Sequence, residues 1–278
     1  MLFDPDDLSA RPPAASVVLL HSSASSARQW DALARALRPS CRVVAIDFHG
    51  HGTCPPRVGP ARESLNDDLA LVEPLLAEPD GVHLVGHSYG GAVALALAAR
   101  HPRRVRSLAV FEPVLFRLLI DNDATSMPAR QVFALVDGIT AHLADGRPDK
   151  AARHFIDFWS GAHAWDALPQ SRRQALAARM PTVLAHFHGL FAERLPPHAL
   201  ERLAMPTLCL GGADTVPATR RIGELLAERL PRAQHEALPG MGHLGPVTQT
   251  EAVNRRLLAF VSAQPARASD GRGVCVAA

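Results

Sequence analysis

Short apolar runs alternate along the chain with longer segments in which apolar residues recur at every third or fourth position. The apolar runs predict buried strands at residues 16–21, 41–47, 82–86, 105–111 and 207–211, and a weaker pattern predicts one at 234–238. The intervening helical spacing covers residues 28–38, 64–78, 90–101, 217–229 and 248–261. Apolar strands that alternate with helices are typical of a parallel sheet covered on both faces. The pattern predicts an α/β fold with an open, mainly parallel sheet of about six strands flanked by helices.

This alternation stops once, between residues 116 and 203, where helical segments are separated by prolines and no strand is evident. A connection of that length is too long for an ordinary loop in a compact sheet domain. We therefore expect a helical cap at 116–203, inserted into a core made of residues 1–115 and 204–262. The remaining residues, 263–278, lose periodicity and are predicted to form a mobile tail.

Composition excludes several classes of protein. The 278 residues carry 29 Lys+Arg against 27 Asp+Glu, a net charge of +2 that argues against nucleic-acid binding through a basic face. A hydrophobic content of 47% argues against disorder. No uninterrupted apolar run approaches the length of a membrane span. We expect a folded enzyme or binding domain that acts on a small molecule, with homo-oligomerisation left open.

Four cysteines, Cys41, Cys54, Cys209 and Cys275, are too widely spaced for a Cys-x-x-Cys pair. Neither a zinc knuckle nor a thioredoxin-type redox pair is indicated. The first residues lack the basic and apolar regions of a signal peptide. A cytoplasmic location is therefore expected.

The most informative motif is Gly86-His87-Ser88-Tyr89-Gly90, which lies between a predicted strand and an Ala/Leu-rich helix. A Gly-x-Ser-x-Gly sequence in that context is the nucleophile elbow, a tight turn that holds the serine in a strained conformation. Glycines are needed because a Cβ would obstruct the close strand-helix crossing. Ser88 is accordingly the predicted nucleophile. His87 beside it is expected to be a packed, hydrogen-bonded core residue.

A serine hydroxyl needs a base, and the base needs an orienting acid. Asp214 follows a predicted strand, and His243 follows the last one in a Gly-rich loop. Both come after Ser88 in the order acid then histidine, and all three lie beyond the carboxyl ends of strands, where open sheets assemble sites. We expect Asp214 and His243 to complete the triad. Glu112, at the end of the strand 105–111, is the alternative acid or a residue of the pocket.

Together these landmarks resemble the α/β-hydrolase family of the capped type, from about residue 17 to residue 261. The matching segments are Leu20-His21-Ser22-Ser23 with Trp30, Asp47 to Gly52, Gly86 to Gly91, Asp214 and Gly242-His243. The resemblance implies the fold and a Ser-Asp-His triad. It says little about the substrate.

The resemblance also implies an oxyanion hole made by the backbone N–H groups of Tyr89 and Ser23, or of Ser22 if the loop is shifted. This chain departs from the family pattern at Ser22, which stands where glycine is usual. Only 15 residues precede the first strand, so the usual leading hairpin is not expected.

The expected reaction is acyl transfer to water on a carboxylic ester or thioester, with neither cofactor nor metal. Alternatives are hydrolysis of a C–C bond in a vinylogous diketone, cofactor-free perhydrolysis, and a hydrolase-like binding protein. Relatives that cleave such a C–C bond often carry an aromatic residue just after the catalytic histidine. Leu244 stands there in this chain, which makes that alternative less favourable. The His-x-His pairs 49/51 and 186/188 lack further ligands, so a metal site is not indicated. Eight of the 14 aromatic residues lie between Phe116 and Phe191, which suggests a small apolar or aromatic substrate under the cap.

Overall fold

A single parallel sheet of six strands forms the centre of the described molecule. The computed structural model describes residues 15–57, 65–196, 198–230 and 232–264. The strands are β1 Ser16–Leu20, β2 Arg42–Ile46, β3 Val82–His87, β4 Val105–Phe111, β5 Thr207–Gly212 and β6 Ala233–Leu238. Their order is β2-β1-β3-β4-β5-β6, and every neighbouring pair is parallel. The predicted open α/β sheet is confirmed.

The register of the sheet brings the carboxyl ends of its central strands to one edge. Leu20 of β1 pairs with Gly86 of β3, and His87 of β3 pairs with Phe111 of β4. Phe111 in turn pairs with Leu210 of β5. The residues that follow these strands are therefore neighbours, although they are far apart in sequence.

Helices cover both faces of the sheet. The helices of the core are α1 Asp31–Leu37, α2 Asn66–Val72, α3 Tyr89–Arg100, α8 Pro217–Arg229, α9 Gly245–Thr248 and α10 Thr250–Ser262. Helices α1 and α10 pack together on one face, where Leu33, Val253 and Leu257 are buried. Helices α2, α3 and α8 contribute to the second, larger apolar cluster on the other face. The central strands β1, β3, β4 and β5 are mostly apolar because both of their faces are buried, whereas the edge strands β2 and β6 are partly exposed.

Four helices connect β4 to β5, and no strand interrupts them in the described residues. They are α4 Phe116–Asp123, α5 Met127–Ala144, α6 Pro148–Ser160 and α7 Gln170–Ala192. We call residues 116–192 the helical insertion. Pro128 and Pro148 lie in the first turns of α5 and α6, where the missing N–H costs no hydrogen bond. Pro181, by contrast, lies inside α7 and does not end it, contrary to the sequence expectation.

Two other expectations concern the end of the chain and the cysteines. The predicted tail 263–278 falls outside the described residues, apart from Ala263 and Gln264 after α10. Cys41, Cys54 and Cys209 are free thiols.

The described helices include none with the length and apolarity that crossing a membrane requires.

Candidate active site

Ser88 sits in the turn between β3 and α3, with a backbone φ of 55° and ψ of −114°. A non-glycine residue with positive φ is strained, and such strain is typical of functional turns. A Cβ placed on Gly86 would lie 2.4 Å from the carbonyl oxygen of Gly90, and one on Gly90 would lie 2.3 Å from that of Leu20. Both glycines are therefore required by close backbone approach, as the motif predicted.

His243 bridges the serine to a carboxylate. Its Nε2 lies 3.0 Å from Ser88 Oγ, and its Nδ1 lies 2.7 Å from Oε2 of Glu112. All three side chains are buried, with relative exposures of 5%, 3% and 4% for Ser88, His243 and Glu112. A carboxylate only accepts hydrogen bonds, so Nδ1 carries the proton and Nε2 is left to accept the proton of the serine hydroxyl.

The acid facing the histidine is Glu112 and not Asp214, so the prediction that Asp214 orients His243 is wrong. Asp214 follows β5 as expected, but its side chain is exposed and makes no hydrogen bond with the described residues. Its backbone N–H instead donates to the carbonyl of Met241. Both acids follow adjacent parallel strands, and it is Glu112 whose carboxylate points to the imidazole.

Glu112 is held as a carboxylate by several donors. Its Oε1 accepts from the N–H of Gly212 at 2.7 Å, and its Oε2 accepts from the hydroxyl of Thr215 at 2.6 Å. Burial, the largest influence, opposes ionisation, but the hydrogen bonds from His243, Thr215 and Gly212 together lower the pKa of Glu112 below its usual value. The acid is therefore ionised at neutral pH.

A second chain of hydrogen bonds connects the histidine loop to the loop after β1. His87 Nε2 donates to the carbonyl of His243 at 2.9 Å, and His87 Nδ1 accepts from the amide of Gln29 at 3.0 Å. The Oε1 of Gln29 then accepts from both the N–H and the hydroxyl of Ser22. The expectation of a packed, hydrogen-bonded His87 is confirmed. Gln29 carried no motif and was missed.

These bonds bear on which backbone groups stay free for an oxyanion. The N–H of Ser22 is occupied by Gln29, whereas that of Ser23 has no acceptor among the residues described. Tyr89 is the first residue of α3, where an N–H has no partner within the helix. Ser23 and Tyr89 are thus the available pair of donors.

The helical insertion covers this site with an aromatic ring. The indole of Trp159, on α6, stacks on the imidazole of His243 with ring centroids 4.0 Å apart and an angle of 26° between the planes. Nothing in the sequence distinguished Trp159 from the other aromatics of the insertion.

An apolar cavity of about 290 Å³ lies beside the site, under α6 and α7. Ser22 and Ser23 line one side of it, and Leu244, next to the histidine, lines another. The insertion contributes the polar side chains of Ser160 and Arg172 and, over a larger area, apolar ones: Phe155, Ile156, Leu168 and Leu176. The cavity therefore places a mainly apolar chamber next to Ser23.

The remaining histidine motifs do not form a metal centre. No group of His, Cys, Asp and Glu in the described part of the chain has a metal-binding arrangement. His49 and His51 lie in the turn after β2, and His186 and His188 lie on α7. His186 is nevertheless buried among polar groups beside the site, which its sequence context did not predict.

Comparison with known proteins agrees with this architecture. The sequence profile of the Alpha/beta hydrolase family matches residues 17–256. The chain is 27% identical over 268 residues to a bifunctional esterase/perhydrolase of Acinetobacter calcoaceticus, covering 90% of this chain and 93% of the relative. It is 30% identical over 239 residues to a pimeloyl-[acyl-carrier protein] methyl ester esterase of Aromatoleum aromaticum, covering 82% and 90%.

Solved structures show the same fold. A hydrolase from Pseudomonas aeruginosa superposes with a TM-score of 0.68 at 26% identity, covering 92% of both chains. An α/β hydrolase from a deep-sea metagenome gives a TM-score of 0.74 at 17% identity, again covering 92% of both. With its profile match, its parallel sheet and its strained serine, the chain belongs to the alpha/beta hydrolase family and is a hydrolase.

Proposed function

We propose that this protein hydrolyses a carboxylic ester or thioester of a small apolar or aromatic acyl group through an acyl-enzyme on Ser88. The observation that carries the proposal is the buried chain of hydrogen bonds from Ser88 through His243 to Glu112. Such a chain makes an otherwise weak hydroxyl nucleophilic.

In the first half-reaction, Ser88 Oγ attacks the carbonyl carbon while Nε2 of His243 takes the hydroxyl proton. Glu112 keeps the other imidazole proton on Nδ1 and stabilises the imidazolium that forms. The N–H groups of Ser23 and Tyr89 donate to the developing oxyanion, a contribution of about 3–4 kcal/mol for one donor in comparable enzymes. The imidazolium then protonates the departing alcohol or thiol.

In the second half-reaction, His243 takes a proton from water, and the resulting hydroxide attacks the acyl carbon. The acid product leaves, and Ser88 recovers its proton from the imidazole. Every proton in this cycle is carried by a residue of the site, so the proposed chemistry needs neither metal nor cofactor.

The cavity and the relatives both support the proposed substrate class. A chamber of about 290 Å³ with apolar walls suits a short or compact acyl group. Two of the relatives are named as esterases, which supports an ester as the substrate. A second candidate is perhydrolysis, favoured by the name of the Acinetobacter relative, in which hydrogen peroxide replaces water and the acyl group leaves as a peroxy acid.

A fluorophosphonate probe tests the enzyme directly. Wild-type protein is expected to gain one covalent adduct, detected by intact mass, whereas Ser88→Ala gains none because the nucleophile is absent. Ser107→Ala, at a buried serine on β4, is the matched control and should label like the wild type. Absence of a Ser88-dependent adduct would contradict the proposal and favour a binding protein.

A panel of p-nitrophenyl esters of graded length, a thioester and a vinylogous diketone then tests the substrate class. We expect kcat/KM to peak at short or aromatic acyl groups. Turnover confined to the diketone would overturn ester hydrolysis. Peroxy acid formed faster than carboxylic acid in the presence of hydrogen peroxide would favour the second candidate.

A further inference from the structure

A buried polar cluster joins the helical insertion to the loop after β1 that carries Ser22 and Ser23, which we call the oxyanion loop. We call it the His186 cluster, and its members are Ser23, His51, Asp68, Tyr89 and His186. Apart from Ser23, which is partly buried, all are at most 6% exposed. The triad chemistry described above does not use His186, His51 or Asp68, so the placement of these polar side chains calls for another role.

His186 contacts both residues that supply the free N–H groups. Its Nδ1 lies 2.8 Å from the hydroxyl of Ser23. Its ring stacks on the phenol of Tyr89 with centroids 3.7 Å apart and planes within 3° of parallel. One side chain of α7 therefore touches the two residues that border the position of an oxyanion.

The groups around His186 indicate which atom donates the hydrogen bond between His186 and Ser23. Oδ2 of Asp68 accepts from the Tyr89 hydroxyl at 2.6 Å and lies 3.6 Å from Nε2 of His186. A carboxylate at that side favours the proton on Nε2, which leaves Nδ1 to accept from the Ser23 hydroxyl. Burial first, and then the neighbouring His51, His21 and His49, lower the pKa of His186, so its ring is neutral.

The oxyanion loop is thus held at two successive residues by different parts of the chain. Gln29 of the core binds the N–H and hydroxyl of Ser22. His186 of the helical insertion binds the hydroxyl of Ser23. Ala24, the next residue, has a positive φ of 61° and its N–H donates to His51, which stacks on His186. A loop with this strained backbone depends on such contacts to keep the N–H of Ser23 directed at the position of the oxyanion.

We propose that His186 is a positioning residue through which the helical insertion sets the geometry of the oxyanion hole. The proposal rests on the function proposed above. It assigns to α7 a contribution to the rate of the chemical step, in addition to covering the site. Loss of the Ser23 contact lets the loop relax, so the transition state loses stabilisation while the ground-state complex keeps its binding contacts.

The experiment combines two single variants and their double variant. His186→Phe keeps a ring to stack on Tyr89 but cannot accept a hydrogen bond, and Ser23→Ala removes the donor while keeping the backbone N–H. Each is expected to lower kcat about tenfold with KM changed by less than about twofold, because only the transition state uses the hydrogen bond from the backbone N–H of Ser23. The double variant should lose no more than either single one, since both remove the same contact.

His188→Phe is the matched control, because His188 lies on the same helix and its side chain has no hydrogen bond to the described residues. Its kcat should equal that of the wild type. A boronic acid that forms a tetrahedral adduct on the serine supplies a second readout, and its inhibition constant should rise about tenfold in His186→Phe. Thermal melting of each variant shows whether the fold is retained.

The results separate the two proposals. Unchanged kcat and boronate affinity in a folded His186→Phe would overturn the positioning role, while Ser88-dependent labelling would leave the hydrolase function standing. Multiplying losses in the double variant would also overturn it, because the two residues would then act independently. Absence of Ser88-dependent labelling in the wild type would instead remove the proposed function itself.

Discussion

Glu112 leaves the end of β4 with a φ of 43°, a conformation that few residues other than glycine adopt. Its backbone N–H still donates to the carbonyl of Leu210, so the strained residue remains tied to β5. The turn directs its carboxylate to His243, where Gly212 and Thr215 supply further hydrogen bonds. An acid at the end of β4 reaches His243 only through this strained backbone turn.

Replacing each acid by its amide tests which of Glu112 and Asp214 orients His243. Glu112→Gln is expected to lower kcat by about 10³- to 10⁴-fold, because an amide in place of the carboxylate favours the wrong tautomer of His243. Asp214→Asn, at an exposed side chain, should change kcat by less than about twofold. Steady-state kinetics on one ester, with melting curves for folding, measures both. The reverse ranking would restore Asp214 as the orienting acid.

The sequence could identify Ser88 and His243 but could not choose between the acids. Ser88 lies in a local motif whose glycines announce the turn, and His243 lies in the Gly-rich loop after the last strand. Glu112 and Asp214 both follow parallel strands that are neighbours in the sheet, so position along the chain does not separate them. The choice depends on a backbone angle at residue 112 and on donors from residues 212 and 215, which only the fold brings together.

At the scale of elements, α6 brings Trp159 over His243, and its neighbour Phe155 lines the adjoining cavity. An indole lying on the imidazole limits the space available to an acyl group. It also presents its face to the imidazolium that forms during the reaction, an arrangement that favours a cation. We therefore expect the helix to influence both selectivity and rate.

Truncating this ring is expected to broaden the range of acyl groups. In Trp159→Ala, the ratio of kcat/KM for an octanoyl ester to that for an acetyl ester should rise about tenfold, since each added methylene gains room in the site. Trp159→Phe keeps a stacked ring and should leave the ratio nearly unchanged. A p-nitrophenyl ester series measures it. An unchanged ratio in the alanine variant would mean that acyl groups bind away from the indole.

The elements themselves were the most predictable level of the molecule. All six predicted strands are present, with ends within two residues of the expected positions. Mostly apolar runs bounded by turns explain five of them, whereas β6 is largely polar and is held by its pairing with β5. Pro181 shows what the pattern cannot settle. Packing of Met180, Val183 and Phe187 in the apolar cluster holds α7 together across a residue that lacks an N–H.

On the scale of the whole molecule, histidines are buried as neutral side chains around the sheet. Burial is the main reason that the pKa of His21 and that of His87 are lowered to about 3 and that of His83 to about 4. An unfolded chain binds a proton at each of these groups below its ordinary pKa of 6.5, whereas the folded chain does not. Acid therefore favours the unfolded state.

The free energy of unfolding should fall as the pH drops from 6.5 toward 4. Each of these histidines contributes a loss of about 2 kcal/mol by pH 5, because the unfolded form alone is protonated there. Urea unfolding at a series of pH values measures the slope. His83→Gln, away from the site at a side chain that contacts the hydroxyl of Ser107, should reduce that slope by about 1.4 kcal/mol per pH unit. Stability independent of pH over this range would contradict neutral burial.

Because Trp159 stacks on His243, we expect the fluorescence of Trp159 to depend on the protonation state of His243 during turnover. An excited indole transfers an electron to a protonated imidazole far more readily than to a neutral one. The fluorescence of Trp159 should therefore be quenched when His243 is protonated. Trp30 and Trp165 have no such imidazole partner among the described ring contacts. Stopped-flow emission at the tryptophan band would then follow each proton as it arrives on the imidazole and leaves it, with no chromogenic substrate and no added label.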